Sequence, residues 1–416
     1  MPAPLYYIFI FMRVIPENHQ GISTLLAFAL IPLSGFATDI YLPSLPSMAE
    51  HLQVSNTSVQ LSLVVFMISY GISQLFVGSL LDSFGRFKIS SSALAIFAVA
   101  SFAIALSGNI YVIYAMRIVH GIAVAMIVVS KRAYFVDVYS GDKLKHYTSL
   151  FSIIWASAPI IAPFIGGYLQ STLGWQSNFY FLGIFAAILL VLELMYSGES
   201  LRHFQPFKVK SILQVYANTI KTTDYSLGVI ILGLCYAMLL VYGMSSPFII
   251  EHLFHQSPVV TGYCSLLSGM ALMAGGMISK ALIKQPLVKK IAAAILAQLA
   301  VAIIMLLVSG YINNLYALMP FVLILHMASG FMFNNYFSYC LGRFTKNAGI
   351  ASGITGGSLY VVTSIFSYGL IEVIGIKSPA LLGSAYLVLV LLTGIAFLLF
   401  IKARYAVGEE SFAKAA

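Results

Sequence analysis

Twelve runs of apolar residues, each long enough to cross a bilayer, recur along the chain, and they limit the fold more than any other feature. They fall at about 21–43, 59–80, 89–107, 110–130, 148–169, 178–197, 225–246, 259–279, 289–309, 315–338, 348–372 and 379–401. A membrane-crossing helix needs about 20 such residues. Twelve of them leave only ends and short loops from a chain of 416. Composition agrees: 60% of residues are hydrophobic and 8% charged, where a soluble domain carries about 25% charged. Mean hydropathy is +0.95. The expectation is an all-α polytopic membrane protein of twelve transmembrane helices.

The net charge of +9 does not point to nucleic acid, because basic residues bind phosphate only when clustered on a wet face. It reports topology instead. With residue 1 in the cytoplasm, the ends and the loops after spans 2, 4, 6, 8 and 10 hold 20 of the 22 Lys and Arg residues. The exceptions are Lys377 in an outer loop and Arg117 within span 4. Such asymmetry places both termini in the cytoplasm. The longest loop, 198–224, separates two six-helix halves, 1–197 and 225–416, and its 208–221 portion has the pattern of a helix lying on the inner leaflet. Two halves of this kind suggest a transporter built from repeats, with its path between them; composition alone also allows a channel or a membrane enzyme. The first 16 residues are apolar but too short to span, and they lack a basic n-region and a cleavage site. They read as an interfacial segment, with Met12 as an alternative start.

Charge inside the bilayer is expensive and therefore informative. Asp39 in span 1 and Arg117 in span 4 stand out, both within about seven positions of the outer end of their runs. Their charges are expected to meet across the central cavity, with Asp39 as a proton-binding carboxylate. A bland reading stands beside each: a wet residue near Pro43 and Pro46 for Asp39, and an arginine bonded to carbonyls for Arg117. Glu193 and Glu372 lie near span ends and are expected to reach the interface. Cys235, Cys264 and Cys340 have no CxxC or metal spacing and read as small core residues. His252 and His255, three apart, read as solvated surface residues, and no metal site is expected.

The loop after span 2, GSLLDSFGRFK at 78–88, resembles the G-x-L-x-D-x-x-G-R signature of the major facilitator superfamily. Gly78, Leu80, Asp82, Gly85 and Arg86 match. The resemblance implies a two-half twelve-helix fold in which this loop is a conformational latch on the cytoplasmic side. Span 4 carries Arg117-x-x-His120-Gly121, similar to the R-x-x-Q-G of proton-coupled exporters with histidine for glutamine. Span 5 carries ASAPIIAPFIGGYL, similar to an antiporter motif. Pro159, Pro163, Gly166 and Gly167 are its bending and small residues, while Ala158 and Ala162 replace glycines. Span 1 carries DIYLPSLP at 39–46, which is similar to the D-x-Y-L-P-x-L-P of Bcr/CflA-type drug:proton antiporters. Segments 330–341 and 348–357 are similar to that group's later motifs, with Asn334 where proline is usual.

The resemblance implies a proton-coupled antiporter of the bacterial inner membrane that exports a small amphipathic molecule or drug. The expectation is thus a transporter rather than an enzyme, a monomer in the lipid bilayer, driven by protons rather than by a bound cofactor. Tyr41, Trp155, Tyr236, Asn334, Asn335 and Tyr336 fall on spans that line the cavity in this family and are the substrate-binding candidates. Alternatives are an exporter of an endogenous metabolite such as a carboxylate siderophore, with Arg117 as its anchor, and a proton-coupled uptake symporter. A sensor or membrane enzyme is the rival from another class; no nucleophile motif, phosphate loop or soluble output domain supports it.

Overall fold

Prolines cannot donate to a helix ladder, and three of them punctuate the first apolar run and its continuation. Pro32, Pro43 and Pro46 divide it into α1 (Gln20–Leu30), α2 (Leu33–Asp39) and α3 (Leu45–Leu52). The computed structural model describes residues 15–204, 214, 216, 217, 219–343 and 348–413. The start at Met12 and most of the surface helix expected at 208–221 lie outside the described residues. The rest of the chain continues as long helices, the only open structure that satisfies its backbone within hydrocarbon. In order they are α4 (Asn56–Phe84), α5 (Arg86–Ala105), α6 (Ile110–Val138), the short α7 (Gly141–Ser149), α8 (Phe151–Leu173) and α9 (Gln176–Tyr196). Then come α10 (Thr223–Phe248), α11 (Pro258–Ala281), α12 (Leu287–Leu307), α13 (Leu315–Arg343), α14 (Ala348–Ile374) and α15 (Pro379–Ala413).

Among the described residues, eleven helices are long and apolar enough to cross a membrane, with α1 to α3 counted together. The twelfth, α8, has 23 residues and occupies the place of the fifth apolar run. Several helices outrun their apolar windows. At 29 residues, α6 reaches about 44 Å at 1.5 Å per residue, well beyond a hydrocarbon core of about 30 Å. Large apolar side chains such as Val99, Ile184, Leu307 and Val373 stay exposed on the outer surface, as lipid-facing positions do.

Span-to-span packing repeats with an offset of six. In the first half span 2 packs on span 4, span 3 on spans 4 and 6, and span 1 on spans 4, 5 and 6. In the second half span 8 packs on span 10, span 9 on spans 10 and 12, and span 7 on spans 10, 11 and 12. The two sets join mainly where α8 meets α11 and where α4 meets α14. The α8 joint is close because its side chains are small. A Cβ on Gly166 would sit 1.6 Å from the Ile40 carbonyl oxygen, and one on Gly167 would sit 2.6 Å from that of Pro258. Only glycine lets α8 lie against the break after α2 on one side and the start of α11 on the other.

Candidate functional site

Asp39 ends α2 at the break, is 6% exposed, and its Oδ2 has no hydrogen-bond partner among the described residues. It lines a cavity of about 30 Å³ together with Leu42, Pro159, Tyr236, Tyr242, Ser265 and Ser268, among others. The lining comes from spans 1, 5, 7 and 8, so both sets of spans contribute. A water needs about 10–15 Å³ of such space, while drug-sized ligands occupy about 300–1,000 Å³. In this conformation the cavity has room for one or two waters and is far smaller than a drug-sized ligand. A larger crevice of about 380 Å³ lies at the latch end between Glu17, Gln20, Lys143 and Tyr147, away from Asp39.

Arg117 is fully buried in α6. Its Nη1 donates to the Ala37 carbonyl at 2.9 Å and its Nε to the Ser62 carbonyl at 3.3 Å, and its Nη2 lies 3.5 Å from the Tyr41 hydroxyl. The guanidinium carbon sits 4.8 Å from the Tyr41 ring centroid and 4.3 Å from that of Phe66. The last turn of a helix leaves carbonyls without intrahelical partners, and Arg117 satisfies one that the break in span 1 frees. The expected ion pair with Asp39 is not formed: no contact within 4.0 Å joins the two among the described residues. The cation reaches the carboxylate through its field alone. His120 is fully buried beside Arg117, with its ring 4.3 Å from Phe97 and its Nε2 3.0 Å from Ser101 Oγ.

The substrate-binding candidates separate. Tyr236 lines the cavity with Asp39. Tyr41 turns away from it into the Arg117 cluster, 3.0 Å from Ser62 Oγ. Asn334 donates to Gly276 O at 3.3 Å and to Ser279 Oγ at 3.2 Å, tying α13 to α11. Asn335 bonds Phe331 O in its own helix, and Tyr336 packs 5.2 Å from the Phe400 ring. None of these three lines the cavity with Asp39. Successive helical residues point about 100° apart, so three neighbours cannot share one face. The Trp155 side chain lies outside the described residues. In the antiporter motif Pro159 lines the cavity, and Pro163 lies within α8 one turn on.

The latch is drawn together by residues far away in sequence. Gly85, at φ 92°, makes the reversal between α4 and α5. Arg86 pairs with Asp82 at 3.1 Å and with Asp137 at the end of α6. Both oxygens of Glu199 accept from the first amides of α5, Arg86 N at 3.0 Å and Phe87 N at 3.1 Å, and Ser200 donates to Asp137 at 2.8 Å. A Cβ on Gly78 would meet nothing within 4 Å. Asp137, Glu199 and Ser200 carried no local signal; an acidic residue near a span end was the only hint.

One further sequence reading needs correction. Glu193 does not reach the interface: it is 1% exposed and pairs with Lys131 at 2.6 Å, itself buried within α6 rather than in a loop. His252 is exposed, and its Nε2 lies 3.3 Å from Glu50 across the ends of spans 1 and 7. Glu372 is exposed, and the three cysteines are buried and free. No group of three or more potential metal ligands occurs among the described residues.

Two helix sets with one packing plan, meeting over a small cavity that holds a buried carboxylate, define a membrane transporter rather than an enzyme. The chain belongs to the Major Facilitator Superfamily, whose sequence model matches residues 27–367. It is 28% identical over 337 residues to an uncharacterised transporter of this type, YdgK of Bacillus subtilis, covering 79% of this chain and 83% of that one. It is 34% identical over 161 residues to a bicyclomycin resistance protein homologue of Haemophilus influenzae, 38% of this chain and 40% of that relative. Among solved structures it resembles an inward-facing, unoccupied bacterial homologue of the human lysosomal transporter Spinster. The TM-score is 0.68 at 14% identity, over 93% of this chain and 97% of that one, a likeness of fold.

Proposed function

We propose that the protein is a proton-coupled antiporter that exports a small amphipathic molecule or drug across the bacterial inner membrane, with both termini cytoplasmic. The observation that carries this reading is the Asp39 carboxylate, buried, unpartnered at Oδ2 among the described residues, and set on the wall of a cavity to which both helix sets contribute near the break in span 1. A lone carboxylate there is neutralised by a proton or compensated by a cation or hydrogen-bond donor on the substrate, and the two compete for one place. The halves 1–197 and 225–416 rock about this point on the linker 198–224, with Asp82 and Arg86 steadying one end. A proton is the coupling ion, and a single chain in the bilayer suffices. The local match to a bicyclomycin resistance protein homologue supports a drug as cargo.

Asp39→Asn tests the reading in inverted vesicles with bicyclomycin or a panel of drugs supplied in the medium, which faces the cytoplasmic side. Transport driven by a pH gradient is expected to fall by at least about tenfold, and unchanged coupling overturns the assignment. The rival in which Arg117 anchors an exported carboxylate is disfavoured by the placement of that guanidinium, which is committed to Ala37, Ser62 and Tyr41. Comparing anionic with cationic cargo separates the two.

A further inference from the structure

One buried titratable side chain in the second half takes no part in the reading above. His326 in α13 is fully buried, and both ring nitrogens are engaged: Nδ1 lies 2.7 Å from Ser268 Oγ in α11, and Nε2 lies 3.1 Å from the Tyr386 hydroxyl in α15. The Tyr242 ring of α10 closes a further side, with centroids 5.4 Å apart. Cys264 lies one turn before Ser268 on α11, and α12 contributes Gln298, which bonds the preceding carbonyl, Leu325 O. The partners of His326 are thus uncharged groups. Ser268 also lines the cavity that holds Asp39.

A neutral imidazole donates from one nitrogen and accepts at the other. If Nδ1 carries the proton, it donates to Ser268 Oγ and leaves the serine O–H free to donate into the cavity. If Nε2 carries it, the serine O–H is consumed by Nδ1 and only lone pairs face the cavity. Tyr386 serves as donor in the first case and acceptor in the second, so both arrangements keep His326 fully bonded. We propose that Ser268 is the second-half hydrogen-bonding partner of the proton site, facing Asp39 across the cavity, and that His326, backed by Tyr386, is the positioning residue that sets the direction of the Ser268 hydroxyl. The inference rests on Asp39 as the proton-binding group. A cavity of about 30 Å³ admits contact directly or through one water.

The other charged and titratable groups facing Asp39 among the described residues are Arg117 from α6, Tyr41 on its own span, and Tyr236 and Tyr242 from α10, while α8 contributes Pro159 to the cavity wall. None of these is altered by a change at Ser268. A hydroxyl donating toward the carboxylate favours its charged form. The test is a pH titration of the full-length protein in lipid nanodiscs, followed by the carboxyl C=O stretch that Asp39→Asn removes. Ser268→Ala is expected to raise the midpoint by about one pH unit, a tenfold gain in proton affinity. Ser268→Cys, which keeps the volume and weakens the donor, shifts it in the same direction. His326→Leu frees the Ser268 hydroxyl to bond its own helix, so it gives a similar shift. His326→Asn retains a partner at the Nδ1 position and leaves the midpoint near that of the native protein. The double change Ser268→Ala with His326→Leu shifts no further than Ser268→Ala alone. A midpoint unmoved in both serine variants, or shifts that add in the double variant, overturns the proposal. Failure of the antiporter reading shows elsewhere, as proton-driven transport that survives Asp39→Asn.

Discussion

The interiors of the two halves share a packing plan but not a chemistry. In the first half the buried polar groups include several charges beside neutral ones such as Gln60 and Asn178: Asp39, Arg117 and the Lys131–Glu193 pair, with the partly buried Arg86 and Asp137 at the latch. In the second half they are mostly neutral. Gln298 bonds Leu325 O and Ser329 Oγ, both at 2.9 Å, and His326 bonds two hydroxyls. A fully buried carboxylate among the described residues there, Asp224, sits at the latch end, held by Arg343 at 2.8 Å and by the Tyr339 hydroxyl. Charge is the costlier material in a membrane, and its concentration in one half accords with the proposal that this half handles the proton. The neutral half supplies shape and hydrogen bonds.

The difference sets an order of sensitivities, measured by unfolding in nanodiscs. Lys131→Met strands Glu193 in an apolar interior and is expected to cost about 3–5 kcal/mol, the range for breaking a buried pair from one side. Lys131→Met with Glu193→Leu is expected to recover most of the loss, because two apolar residues need no partner. A double variant as unstable as the single one breaks the contrast between the halves. Arg343→Met is expected to cost less, about 2 kcal/mol, because Asp224 keeps its Tyr339 donor and Arg343 is itself partly exposed. Gln298→Leu is expected to cost about 1 kcal/mol, since Ser329 keeps the Met238 sulfur and the Leu325 carbonyl keeps its helix bond. A larger loss at Gln298 than at Lys131 reverses the assignment of the halves.

Much of this was legible before any coordinates. The apolar runs gave the helices, and the cost of membrane charge singled out Asp39 and Arg117 from 35 charged residues. The direction of side chains was not legible. In a soluble helix the apolar stripe reports the buried face, but lipid is as apolar as the interior it surrounds, so the stripe disappears. That is why Tyr236 reaches the cavity while Asn334, Asn335 and Tyr336 hold helices together. Partners distant in sequence were invisible for a related reason. Glu193 looked like a span-end carboxylate because its lysine lies 62 positions away in another apolar run, and Glu199 looked like a loop residue although it caps α5. Arg117 shows the same limit, since only the fold reveals that a broken span 1 offers it a carbonyl.

The pair that bridges the halves at the opposite end from the latch should be the least sensitive. Glu50 ends span 1 and His252 ends span 7, and their side chains are 72% and 48% exposed. Exposed pairs contribute about 0–1 kcal/mol, since water competes for both partners and salt screens them. Glu50→Gln is therefore expected to change unfolding by less than about 1 kcal/mol, and the residual effect should vanish near 1 M salt, where the screening length is about 3 Å. Transport in vesicles should respond in the same way, slightly at low salt and not at all at high salt. A loss comparable to that of Lys131→Met, persisting in salt, would mean that Glu50 is buried in another conformation of the cycle. The contact between the halves would then join the first half's charges as part of the coupling machinery, and the contrast between the two interiors would no longer account for where the proton is handled.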